Sequence, residues 1–180
     1  MASAAAALTT EAEFLSLPES NQHIELVDGE VILAPSPSLR HQEILGRIYE
    51  ALRGWVRLHR VDATVAQAPL DVRFAPGRIL QPDALVFVPA LPPNSELPIT
   101  RIPNLVVEVV SANRTYDRVA KRAIYGSAGV QEYWLVDLVH NHIEVCIAET
   151  LASSRIENSE LTSPLLLDFK LDVAALFANA

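Results

Sequence analysis

Two carboxylates stand in apolar company, Asp83 in QPDALVFV and Glu108 in NLVVEVVS. An ionised carboxylate is costly to bury unless it is paired or bound to a metal, so two of them in greasy strands ask for a cation between them. Downstream, YDRVAKRAIYGSAG brings Asp117, Lys121 and Tyr125 at intervals of four, which stack on one side of a helix. That spacing supports two readings. One is a surface Asp117–Lys121 ion pair contributing a few tenths of a kcal/mol. The other leans the lysine over the end of the Glu108 strand toward a metal ion. Oxygen ligands with room left for water suit Mg²⁺, with Mn²⁺ as the alternative, so the chemistry on offer is metal-assisted.

The elements that must position these groups follow from periodicity. With a period of two, Asp83, Leu85 and Phe87 share one strand face, and Val106, Glu108 and Val110 share another. Both faces of both strands are apolar, the pattern of central strands covered on each side. If the strands are neighbours, the two carboxylates converge on one hard divalent ion. The helix after Ser111 takes Asp117 in its first turn and stops at Gly129.

Upstream, Thr10 and Glu13 form a capping-box pattern that starts a short helix over residues 12–17, ended by Pro18. Asp28-Gly29 between apolar alternations predicts a hairpin over 23–33. Glu25, in its first strand, reads as a solvated carboxylate, with an additional site acid as the alternative. Ser36 or Ser38 caps a helix that runs to about Leu58, with an apolar stripe of Ile44, Leu45, Ile48, Leu52, Trp55 and Val56. His41 falls at the N-terminal end of that stripe, as a core residue or as one that lines the site. Glu43 and Arg47 form an outward i,i+4 pair, and the arginines at 40, 47, 53, 57 and 60 make this the most basic helix.

Residues 64–74 are strand-like, with Pro69 marking a bulge or an edge. Residues 75–78 turn the chain into the Asp83 strand, and Asp71 is left outside the site. The Pro-rich 89–103 stretch is too long for a hairpin turn and reads as a surface excursion. Residues 131–137 predict an apolar strand and 142–148 its hairpin partner. His140 and His142 near that turn suggest a metal pair, but no third ligand is evident from spacing. After a polar strand or loop over 151–162, Asp172 caps a closing helix to Phe177.

Together the segments ELVDGEV, PSPSLRHQ, QPDALVFV, LVVEVVS, YDRVAKRAIY and GVQEYWLVD resemble, in order, the bacterial Uma-type family of endonucleases within the PD-(D/E)XK restriction-endonuclease-like superfamily. The superfamily pattern places a lysine two residues after the glutamate, where this chain has Val110. In the Uma-type branch the lysine moves to the next helix, which here is Lys121. The resemblance implies an α/β fold with a restriction-endonuclease-like core, a central mixed sheet flanked by helices, and an N-terminal β-hairpin. Periodicity alone supports only mixed α and β with a covered sheet.

The resemblance further implies Asp83, Glu108 and Lys121 as the catalytic set, joined by His41 and Glu25. It places Mg²⁺ on Asp83, Glu108 and the Val109 carbonyl and DNA phosphates on Arg114, Arg118 and Arg122, with Tyr125 in the substrate-binding set as a donor to the attacking water or to Lys121. The expected activity is Mg²⁺-dependent hydrolysis of DNA phosphodiesters. The other readings are a catalytically inactive nuclease fold kept as an interaction module and a hydrolase of another phosphate ester.

Composition bounds these readings. At 180 residues, half of them hydrophobic, the chain has the size of one domain with a real core, expected over 11–180 behind a disordered tail at 1–10. The net charge of −8 argues against coating nucleic acid non-specifically, so DNA contact rests on a local basic face. A single cysteine excludes an internal disulfide and a cysteine zinc site and fits a reducing cytoplasm. No apolar run reaches the length of a membrane span. Cutting both strands needs two sites, so a homodimer is expected.

Overall fold

Residues 9–18, 23–110 and 115–178 are described in the computed structural model of the chain. The capping box of Thr10 and Glu13 forms and starts helix α1 (Glu11–Leu15). Thr9 N–H donates to the Gly29 carbonyl (2.9 Å), while residues 1–8 of the expected tail lie outside the described residues. Strands β1 (Ile24–Val27) and β2 (Glu30–Leu33) make the Asp-Gly hairpin, with φ of 52° at Asp28 and 89° at Gly29, a backbone that favours these residue types. Helix α2 (Leu39–His59) starts at Ser38, whose side chain accepts from His41 N–H, and buries His41, Ile44, Leu45, Ile48 and Leu52.

The stretch expected as one strand over 64–74 is two, β3 (Thr64–Gln67) and β4 (Val72–Ala75), and they join different sheets. Pro69 lies between them and has no N–H to continue a ladder. The expected turn at 75–78 runs into a further strand, β5 (Arg78–Leu80), which pairs with both β1 and β4. Three residues are too few to show a period.

Strands β6 (Ala84–Phe87) and β7 (Leu105–Val109) pair antiparallel. The chain then crosses over through a π-helical segment, Tyr116–Lys121, and helix α3 (Arg122–Ala128), which ends at Gly129 with φ of 93°. It returns parallel to β7 as β8 (Glu132–Asp137). β9 (His142–Ile147) and β10 (Ser153–Glu157) extend the sheet antiparallel. β11 (Glu160–Thr162) and β12 (Lys170–Asp172) form a ribbon before helix α4 (Val173–Phe177), capped by Asp172.

Among the described residues the central sheet therefore runs β10-β9-β8-β7-β6-β3, beside a smaller sheet β2-β1-β5-β4. The period-two reading of β6 and β7 matches the packing. Ala84, Val86, Leu105, Val107 and Val109 face α2, with Ile44, Ile48 and Leu52. Leu85, Phe87, Val106 and Val110 face the other way, onto Ile124, Tyr125 and Tyr133. The sheet is covered on both sides, and Glu108 sits on the second face. Among the described residues no helix is long and apolar enough to cross a membrane.

Candidate active site

The β6–β7 register decides where the carboxylates meet. Ala84 pairs with Val107, so the next step sets Asp83, just before β6, beside Glu108 near the end of β7. Asp83 Oδ2 accepts from Val109 N–H (2.7 Å) and lies 3.2 Å from His41 Nε2. Glu108 Oε1 accepts from Lys121 Nζ (2.9 Å) and from the Tyr125 hydroxyl (2.5 Å). The smaller sheet adds Glu25. Its Oε1 is 3.0 Å from Lys121 Nζ and accepts from Gln81 N–H (3.1 Å), and its Oε2 accepts from the Tyr116 hydroxyl (3.3 Å). Asp117 Oδ1 is 3.9 Å from the same ammonium. Glu25, Glu108, Asp117 and Lys121 are each 5 % exposed or less. The Asp117–Lys121 pair is thus buried rather than on the surface, and Glu25 is not a solvated carboxylate.

Helix geometry explains how one segment serves this cluster. Five residues span about 1.4 turns of an α-helix, which would put Tyr116 and Lys121 on different faces. The i→i+5 bonding of a π-helix stacks them instead, and Lys121 Nζ lies 5.7 Å from the Tyr116 ring centroid. The Tyr133 hydroxyl, donating to the Asp117 carbonyl (3.1 Å), pins the widened turn to β8. Periodicity of four predicted Asp117, Lys121 and Tyr125 on one side, but nothing in the sequence signals the widening or the part of Tyr116.

Several carboxylates share one ammonium, and they divide by environment. Burial raises the Glu108 carboxyl well above its usual range, and the charges of Asp83, Glu25 and Asp117 add to that against the pull of Lys121. For Glu25 burial acts in the same upward sense, but Lys121 and His23 outweigh it and its pKa falls to about 2. Burial disfavours the Lys121 ammonium, yet Glu108, Glu25 and Asp117 more than offset it, so its pKa rises above that of an ordinary lysine. Lys121 therefore stays protonated at neutral pH.

A cavity of about 400 Å³ opens on this cluster, lined by Glu25, His41, Asp83, Glu108, Asp117 and Lys121 together with Val109 and Tyr116. Among the described residues, hydrogen bonds to Asp83 end on Oδ2 and those to Glu108 on Oε1, so each has a second oxygen to offer. Two carboxylates at the wall of a polar cavity fit a hard divalent ion that keeps water in its shell. Among the described residues His41 Nδ1 is buried without a hydrogen-bond partner.

The other expected substrate contacts are placed differently. Arg114 lies outside the described residues. Arg118 turns to Asp137 (Nη2 to Oδ2, 3.0 Å) and Glu144 (Nη1 to Oε2, 2.5 Å). Arg122 donates to the Leu151 carbonyl (Nη2, 2.6 Å) and faces Glu144 (3.4 Å). Neither lines the cavity, because acceptors on β8, β9 and the turn before β10 hold both guanidiniums. Tyr125 is fully buried behind Glu108 and holds that carboxylate rather than facing a substrate. Arg40 and Arg47 are also engaged, Arg40 with the Leu138 carbonyl and Asn141, Arg47 with the Leu176 and Ala178 carbonyls.

The arrangement has known counterparts. The crystal structure of a "putative nuclease belonging to DUF820" from Anabaena variabilis superposes with a TM-score of 0.77 at 23 % identity, covering 93 % of this chain and 97 % of that one. At that identity the likeness speaks for the fold, a mixed α/β nuclease-type architecture. No curated protein matches the chain. The family model of Uma2, described as "Putative restriction endonuclease", matches residues 11–174. That span runs from α1 into α4 and takes in every strand that builds the cavity, and on it the chain belongs to the Uma2 family.

Proposed function

We propose that the chain is a metal-dependent DNA endonuclease that hydrolyses phosphodiester bonds at the cavity holding Asp83, Glu108 and Lys121. The observation that carries this reading is charge balance. Among the described residues, four carboxylates, Glu25, Asp83, Glu108 and Asp117, share that cavity with one ammonium. Such a wall repels an anionic phosphodiester, and it favours a divalent cation.

Asp83 and Glu108, with the Val109 carbonyl, would hold Mg²⁺ or Mn²⁺. The ion, when bound, polarises the scissile phosphate and acidifies a water. Lys121 keeps its proton and so is not the general base. It offsets the negative charge that builds on phosphoryl oxygens, the role of a preorganised cation. Glu25 fixes the ammonium together with Glu108, His41 steadies Asp83, and Tyr125 steadies Glu108. Cutting both strands takes two such sites, so double-strand cleavage entails a homodimer; sedimentation as a monomer restricts the reading to nicking.

Nicking of supercoiled plasmid in Mg²⁺ or Mn²⁺ tests the proposal, comparing the parent with Asp83→Ala and Lys121→Ala. The parent is expected to nick, chelator to abolish nicking, and each variant to lose at least roughly a hundredfold, given what one electrostatic group contributes. Equal nicking by all three marks a contaminant. No nicking by the folded parent points to an inactive interaction module, and turnover of a simple phosphate ester without nicking points to a different hydrolase.

A further inference from the structure

We propose a second metal site on the hairpin between β8 and β9, where Asp137, His140 and His142 take a borderline divalent transition ion such as Zn²⁺. Spacing alone offers two histidines without a third ligand. The fold supplies it, because Asp137 and His142 are partners across the hairpin and Asn141, with φ of 54°, folds the turn back.

One donor atom from each of the three lies within 4.8 Å of the other two. Asp137 Oδ2 is 2.9 Å from His140 Nδ1 and 4.0 Å from His142 Nε2. Bonds of about 2.0–2.2 Å to a tetrahedral ion separate donor atoms by roughly 3.3–3.6 Å. The two distances bracket that range, and His140, with a side chain 59 % exposed, is free to rotate into it. The two imidazoles already stack, with centroids 5.7 Å apart and planes at 16°.

Asp137 is the fixed ligand. Its Oδ1 accepts from the N–H groups of Val139 (2.9 Å) and His140 (3.0 Å), which aims Oδ2 at the imidazoles. Arg118 Nη2 also reaches Oδ2 (3.0 Å). An outer donor of that kind orients a metal-bound carboxylate, and Glu144 holds the other arm of Arg118 (2.5 Å), so Arg118 can yield without being stranded. Two imidazoles and one carboxylate suit Zn²⁺ and disfavour the hard ion that the carboxylate cavity fits.

Zn²⁺ titration of the full chain, followed by calorimetry and by the ring signals of its five histidines, tests the site. The His140 and His142 signals are expected to move first. His140→Ala or His142→Gln should weaken binding by at least about tenfold, with Asp83→Asn leaving it unchanged. Unchanged affinity in His140→Ala, earlier movement of the His23 or His41 signals, or loss of binding in Asp83→Asn would overturn the assignment. His140 is exposed, so its replacement spares the core, and the parent's ring signals report on the site with no variant at all.

Discussion

Lys121 carries a burden unusual for a lysine. It is buried, and three carboxylates lie within 4.0 Å of its ammonium. Removing one partner of a buried ion pair leaves uncompensated charge and costs about 3–5 kcal/mol. Lys121→Ala is therefore expected to lose that much stability by urea denaturation at pH 7, and less in acid, where the stranded carboxylates take protons. A loss below 1 kcal/mol (roughly the most a surface pair contributes) would show that the pair is not buried in solution. Glu25 supplies an independent check. Its folded pKa of about 2 lies below its ordinary 4.5, so its contribution is complete above about pH 4.5 and disappears as pH falls toward 2. Glu25→Gln should flatten the parent's loss of stability over that window; an unchanged profile would remove Glu25 from the ion pair.

At the scale of elements, the π-helical segment runs directly into α3, and the two form one arm that presents Tyr116, Asp117 and Lys121. The arm is seated by close approach. A methyl group built on Gly126 meets the Thr150 carbonyl, which is main chain and cannot swing aside. Gly126→Ala must push α3 off the turn before β10, and overpacking of this kind costs about 1–3 kcal/mol. A denaturation midpoint equal to the parent's would mean that the turn, not the arm, gives way. Because α3 follows Lys121 directly, the same substitution is expected to reduce nicking more than its stability loss alone explains. The smaller sheet has its own task, since β5 pairs with β1 and so carries Glu25 to the ammonium.

For the molecule as a whole, the net charge of −8 and the acidic cavity make divalent cations the natural first ligand. Linkage fixes the pH dependence. The raised carboxyl of Glu108 stabilises the metal-free protein below its ordinary pKa, and that contribution is lost as pH rises through its folded value. A metal ion needs the same group deprotonated. Mg²⁺ at a fixed concentration should therefore raise the melting temperature more at pH 8 than at pH 6, and not at all in Asp83→Ala. A pH-independent rise, or one retained in that variant, would place the ion elsewhere.

How much of this was legible beforehand differs by kind of feature. Strand faces, the Asp-Gly hairpin, the α2 stripe and the Gly129 stop are local, and periods of 2 and 3.6 or a left-handed turn residue write them into short stretches. The order of motifs placed the chain beside its family for the same reason. Tertiary structure alone decided which charges meet. Glu25 reaches Lys121 through a separate sheet, Arg118 and Arg122 turn to acceptors on β8, β9 and the turn before β10, and Asp137 completes a trio with two histidines that spacing had left as a pair. Ion pairs and ligand sets depend on distances between residues remote in the chain, and no local period encodes those distances.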